Sequence, residues 1–94
     1  MKRYEEILRK NNLIQVTLAL ELLLDHGRKN LANDKYVDVI HEALKEDKSS
    51  NLFSLDFKMG AVDIARELAS LETKDLCKFI HDYNRMLNNK ERTR

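Results

Sequence analysis

Apolar residues recur with roughly the 3.6-residue period of an α-helix along most of this chain. The periodic segments lie at about residues 2–11, 13–26, 35–46, 54–71 and 74–88. The chain has no proline and only two glycines, the residues that most often interrupt regular structure, so long helices are favoured over short strands. The pattern therefore predicts an all-α fold: a compact four- to five-helix bundle whose antiparallel neighbours are joined by short loops.

The second segment is apolar around nearly its whole circumference. Between Leu13 and Leu24 the large aliphatic side chains point in almost every direction about the helix axis. A helix of this kind has to be covered on every side, so it takes either a central position in the bundle or forms a self-association surface. If the chain dimerises, we expect Ile14, Leu18 and Leu22 among the buried contacts.

Residue types typical of helix boundaries stand between the segments. The Asn11–Asn12 pair predicts a break, although a continuous helix through it stays open. Gly27 suits the left-handed residue just past a helix end, with Arg28 and Lys29 beside the negative end of the helix dipole. The clearest loop is at 48–51. The candidate N-cap residues are Asn33 or Asp34, Ser54 and Thr73.

The third segment has one broad apolar face, which by spacing includes Val39 and Ala43. The fourth segment is apolar over more than half of its circumference. Its polar remainder is a narrow acidic stripe of Asp56, Asp63 and Glu67, which we expect to face water or to receive a basic partner. Gly60 lies inside this segment at a cost of about 1 kcal/mol relative to alanine, which indicates a close helix crossing.

The fifth segment has a narrow apolar stripe, with Lys74, Asp75, Lys78, Asp82 and Arg85 on the opposite side. At 94 residues the chain is long enough for one modest core. We therefore expect a single helical domain over 1–88 and a frayed basic tail over 89–94.

Charge and cysteine content restrict the expected partners. The formal net charge of +1 argues against strong recruitment by nucleic acid or anionic lipid. The single cysteine forms no disulfide within the chain, and the first residues, MKRYEEILRK, have no apolar run of a secretory signal. The longest apolar stretch is too short to cross a bilayer. We therefore expect a cytoplasmic protein with no membrane partner.

Motifs for catalysis or cofactor binding do not stand out, so we expect no enzyme, no cofactor, no small-molecule substrate and no metal. Phosphate-binding loops need clustered glycines, and this chain has none. Cys77 and His81 are four residues apart on one helix, as two metal ligands would be. A zinc site would need a further ligand such as His26 or His41, at no regular spacing. A half-buried cysteine beside an exposed histidine is the commoner arrangement.

The fourth and fifth segments together are similar to a helix-turn-helix pattern, in which two helices pack across a tight turn. In this interpretation Lys74, Lys78 and Arg85 would contact phosphates, whereas Asp75 and Asp82 would repel them. The apolar positions fit the pattern only in part, because no single alignment to a helix-turn-helix places apolar residues at the expected positions of both helices.

Two functional hypotheses remain. The leading one is a small non-enzymatic helical protein that acts by binding another protein, with itself as one candidate partner. Such a protein would be a regulator, an inhibitor or an adaptor. The second is a DNA-binding transcriptional regulator that uses the helices at about 54–71 and 74–88.

Overall fold

A computed structural model describes residues 3–47 and 53–92 of the chain, and the loop predicted at 48–51 lies outside them. The described residues form six α-helices and no strand, which confirms the all-α class. The helices are α1 (Arg3–Lys10), α2 (Leu13–His26), α3 (Arg28–Leu31), α4 (Asp34–Glu46), α5 (Leu55–Ala69) and α6 (Thr73–Arg92). In this part of the chain, no helix has the length and apolar character needed to cross a membrane.

Side-chain caps begin three of the helices. The Oδ1 atom of Asn12 accepts hydrogen bonds from the backbone N–H groups of Ile14 and Gln15, so the predicted break before α2 is confirmed. Asn33 caps α4 and Ser54 caps α5 in the same way. The short polar side chains in the sequence thus fix where these helices start.

Gly27 ends α2 and starts α3, a helix that the sequence did not predict. Its φ of +87° is a conformation that side chains with a Cβ rarely adopt, so glycine is required here. The Gly27 N–H donates to the Leu23 carbonyl, and the Gly27 carbonyl accepts from the Leu31 N–H. One residue therefore serves both helices.

The core lies mainly between α2 and α5, the most closely packed pair of helices. Gln15, in the first turn of α2, bonds to Phe57 in the first turn of α5, and Arg28, just after α2, reaches Ala69 at the end of α5. These contacts show that α2 and α5, which are separated along the chain by α3 and α4, run in the same direction. The fully buried large side chains are Val16, Leu31, Val37, Val62, Leu68 and Phe79.

Two arginines connect α3 and α5 reciprocally. Arg28 donates to the carbonyls of Ala69 and Leu71 and to the hydroxyl of Thr73, so it caps the end of α5. The sequence had indicated only that Arg28 lies beside the end of α2. Arg66 of α5 donates from Nε to the Leu31 carbonyl over 2.9 Å, at the end of α3. Its Nη2 lies 2.5 Å from an oxygen of Asp34.

Arg28 also explains why Thr73 does not act as the predicted N-cap. The Thr73 hydroxyl accepts a hydrogen bond from Arg28 over 3.1 Å, and the helix already includes this residue. Leu76 donates its N–H to the carbonyl of Glu72, which takes the cap position.

The last helix packs on the first. Tyr4, Ile7 and Leu8 of α1 are buried, as are Phe79 and Tyr83 of α6. The C-terminal end of α6 is at Arg92, four residues beyond the predicted end and within the segment predicted to be a frayed tail.

Candidate protein-interaction site

The residues predicted to be buried in a dimer form an apolar row along α2. This apolar row consists of Ile14, Leu18 and Leu22, four residues apart and therefore adjacent on one side of the helix. Ile14 is 59% exposed, whereas Leu18 and Leu22 are half-buried. The row thus runs from open surface into the protein.

Leu18 and Leu22 line a cavity of about 240 Å³ on the protein surface. Leu44 of α4 and Phe53, before α5, form the rest of its apolar wall. One acidic and one basic side chain, Asp47 and Lys58, also line it. The structure therefore brings two of the predicted interface residues into an apolar groove.

The prediction that every side of α2 is covered is wrong for a single copy of the chain. Val16, Ala19 and Leu23 are buried, but Leu24 is 84% exposed, about 80° around the axis of α2 from Ile14. Leu24 belongs to the segment predicted to be apolar on every side, but it was not among the predicted interface residues. Its exposure depends on which sides of α2 the other helices leave uncovered, and the helical spacing of α2 alone does not indicate this.

Exposed apolar side chains also occur outside α2. Val39 of α4 is 66% exposed and Ala43 faces solvent, so the predicted apolar face of this helix is narrower than expected. Leu55, Ile80 and Met86 are exposed by about two-fifths, at 41%, 39% and 38%. Among the large apolar side chains that the structure describes, Leu24, Val39 and Ile14 are the most exposed.

The predicted acidic stripe is an exposed row on α5. This acidic row consists of Asp56, Asp63 and Glu67, all three exposed. Asp63 and Glu67 line a wide surface cavity together with Arg3 and Arg66. The acidic row is thus separate from the apolar row, and the structure does not combine the predicted interface residues into one surface.

The predicted nucleic-acid residues share one exposed side of α6. This basic row consists of Lys74, Lys78 and Arg85. The acids that were expected beside them, Asp75 and Asp82, are half-buried and lie toward α1. No acidic side chain is exposed between Thr73 and Asn88. The α6 surface is accordingly more uniformly basic than the sequence indicated.

Helix α6 does not pack as a recognition helix packs on its partner. Ser70, Leu71 and Glu72 form a tight connection from α5, as in a helix-turn-helix. However, the main packing partner of α6 is α1, whereas α5 packs chiefly on α2. The two helices are joined by the expected turn without sharing an extensive interface.

The contact between α1 and α6 encloses a phenol next to carboxylates. Burial raises the pKa of the Tyr4 hydroxyl, and the nearby charges of Glu5, Asp82 and Asp75 raise it further. One carboxylate oxygen of Asp75 is buried and makes no hydrogen bond to the residues that the structure describes. These features belong to the packing of two helices and form no enclosed site.

Cys77 and His81 are both exposed on α6. The Nδ1 atom of His81 lies 3.6 Å from a carboxylate oxygen of Asp82. His26, one of the proposed further ligands, instead forms a hydrogen bond of 2.9 Å with the Tyr36 hydroxyl. Within residues 3–47 and 53–92, no group of three or more His, Cys, Asp or Glu side chains is arranged to hold a metal ion.

Comparisons with known proteins identify no relative. No protein-family model matches the chain, and no curated protein and no solved structure matches it either. The function therefore has to be inferred from the surface features described above.

Proposed function

We propose that this protein acts by binding another protein, as a regulator, an inhibitor or an adaptor without catalytic activity of its own. The observation that supports the proposal is the incomplete cover of α2. Ile14 and Leu24 present large apolar side chains to solvent, and among the described residues Leu18 and Leu22 line an apolar groove. Large apolar side chains left exposed on one helix are the kind of surface that protein interfaces bury.

The energetic argument is the cost of leaving these side chains in water. Burying one large aliphatic side chain stabilises a complex by about 1.5–3 kcal/mol. Leu24 is 84% exposed and Ile14 is 59% exposed, so most of that gain is still available to a partner. A second copy of the chain is one candidate partner, because the same apolar surface would then be buried on both copies. The proposal requires no cofactor. We also propose a cytoplasmic location, because a chain with a single cysteine forms no internal disulfide that would call for an oxidising compartment.

Sedimentation velocity over a range of micromolar concentrations tests self-association. We expect the wild-type chain to shift toward a dimer as its concentration rises, and a double variant, Ile14→Gln with Leu24→Gln, to remain monomeric. The matched control is Asp38→Asn with Glu42→Gln, which changes two exposed polar side chains of α4, away from α2. This control is expected to dimerise as the wild type does.

A wild-type chain that stays monomeric at every concentration would exclude the second copy and leave a different protein as the partner. That partner would then bind the wild type and the Asp38/Glu42 control but not the Ile14/Leu24 variant. A partner that binds all three equally would contradict the assignment to α2.

DNA binding is the second candidate function, and the basic row of α6 supports it. The three cations lie on one exposed helix face that is free of exposed carboxylates. Three phosphate contacts would give a slope of about −2.7 in log K against log salt concentration. Titration of duplex DNA at low salt tests this, with Lys74→Gln and Lys78→Gln each expected to reduce the slope by about 0.9. No binding at low salt would dismiss this function.

A further inference from the structure

The acidic row of α5 and the basic row of α6 have mirror-image spacing. Along α5 the intervals are seven and then four residues, from Asp56 to Asp63 to Glu67. Along α6 they are four and then seven, from Lys74 to Lys78 to Arg85. At about 1.5 Å of rise per residue, both rows extend over about 16 Å, with matching intervals of about 10 Å and 6 Å.

Helices that lie side by side in opposite directions would place these charges in register. Asp56 would then face Arg85, Asp63 would face Lys78, and Glu67 would face Lys74. All six side chains are exposed, and in the part of the chain that the structure describes no ion pair joins one row to the other. The pairing is therefore not made within one copy.

We propose that the exposed face of α6 docks on α5 of a second copy of this chain, antiparallel, with the acidic row against the basic row. Both rows belong to one chain, so a two-fold axis between the copies would repeat the contact, with each copy contributing both rows. This inference rests on the proposed protein-binding function but uses a different surface from the apolar row.

Other charges flank both rows. Arg3 and Arg66 lie beside Asp63 and Glu67, and Arg66 is already engaged with Asp34 and the Leu31 carbonyl. Arg85 also lines the cavity between α1 and α6, where Glu5, Arg9 and Asp82 are its neighbours. Lys74 and Lys78 lie near Asp75 and Asp82 on α6, but both acids are half-buried and close to Tyr4 of α1. We place the pairs of Asp63 and Glu67 with these two lysines at the centre of the proposed contact.

Exposed ion pairs are individually weak and are screened by salt. We therefore expect dimerisation through this surface to weaken at least about tenfold when the ionic strength rises from low to physiological values. Association through the apolar row of α2 would respond little to the same change, because burial of apolar surface is not screened.

Charge reversal tests the proposal by sedimentation equilibrium at low salt. One variant has lysine at all three positions of the acidic row, and the other has glutamate at all three positions of the basic row. Each variant alone is expected to dimerise at least about tenfold more weakly than wild type, and an equimolar mixture is expected to restore association. Circular dichroism confirms that each variant is folded.

Control variants have the same net charge but reverse exposed residues elsewhere. Asp25, Asp38 and Glu46 become lysine in one, and Lys29, Lys35 and Lys45 become glutamate in the other. Each control keeps both rows, so it is expected to dimerise at least about tenfold more strongly than the row variant of the same net charge. Equal weakening of a row variant and its control would mean that only net charge matters and would overturn the proposal.

Single reversals test the register. Asp63→Lys is expected to be rescued in trans by Lys78→Glu and less by Arg85→Glu. If both row variants dimerised as strongly as the wild type, this docking would be overturned, while the proposed function of α2 would stay intact. A wild-type chain that is monomeric even at low salt would overturn it too, and would leave only a different protein as partner. If the basic-row variant lost binding to duplex DNA but dimerised as the wild type does, the docking proposal would likewise be overturned. The DNA-binding function would then be favoured.

Discussion

Gly60 and Gln15 meet where α5 and α2 pack together. A Cβ atom at Gly60 would lie 2.5 Å from Nε2 of Gln15, closer than non-bonded atoms approach. That amide donates a hydrogen bond of 3.0 Å to the Phe57 carbonyl. Gly60 therefore lies in the contact between α5 and α2, where one polar side chain of α2 occupies the space that the glycine leaves. A close approach of the two helix backbones stays a prediction.

We expect Gly60→Ala to be close to neutral in the wild type. Alanine favours the helix by about 1 kcal/mol, but its methyl group displaces Gln15 and breaks a hydrogen bond of about the same value. In a Gln15→Ala background the same substitution should stabilise by about 1 kcal/mol. Denaturant unfolding of the four chains measures the coupling, and additivity within about 0.3 kcal/mol would contradict the account.

Tyr4 makes the free energy of unfolding depend on pH in the alkaline range. Burial and the neighbouring carboxylates raise its pKa in the folded state, so the folded chain holds this proton more tightly than the unfolded chain. The contribution is complete below the unfolded pKa of about 10 and is lost as the pH rises through the folded pKa. We expect the free energy of unfolding to fall less steeply above about pH 10 in Tyr4→Phe than in wild type. Identical pH profiles of denaturant unfolding for the two chains would refute this.

At the scale of helices, local signals were readable from the sequence and distant ones were not. Asn12 and Ser54 each cap a helix through a backbone N–H two or three residues away, which a short stretch of sequence reveals. Arg28 bonds to carbonyls more than forty residues away, at the end of α5, and no local pattern indicates this. The same holds for Leu24, because its exposure depends on which sides of α2 the other helices leave uncovered.

Arg28 connects α3 to the end of α5, and we expect Arg28→Lys to lower the free energy of unfolding by about 1–3 kcal/mol. Lysine keeps the charge but lacks the planar group that donates to Ala69, Leu71 and Thr73 together. Lys29→Ala, at an exposed neighbour, should change it by less than about 0.5 kcal/mol. Equal effects in thermal or denaturant unfolding would show that these hydrogen bonds do not stabilise the fold.

At the scale of the whole molecule, the protein is flat. Its principal extents are 38 × 32 × 20 Å and its radius of gyration is 13.8 Å, against about 12 Å for a compact chain of this length. A flat molecule buries fewer helix faces, which agrees with the incomplete cover of α2. The fold class and the rows on α5 and α6 followed from periodicity alone, whereas their separation from the apolar row depends on how the helices pack.

The central claim is that α2 keeps an uncovered apolar side in a single copy, which a partner protein then covers. Methyl NMR with a soluble paramagnetic agent tests this directly in a dilute, monomeric sample. We predict strong broadening of the Leu24 and Ile14 methyl signals and little broadening for Val16 and Leu23, with the first two becoming protected on association. If Leu24 were as protected as Leu23 in the monomer, α2 would be covered by its own fold and the claim would be contradicted.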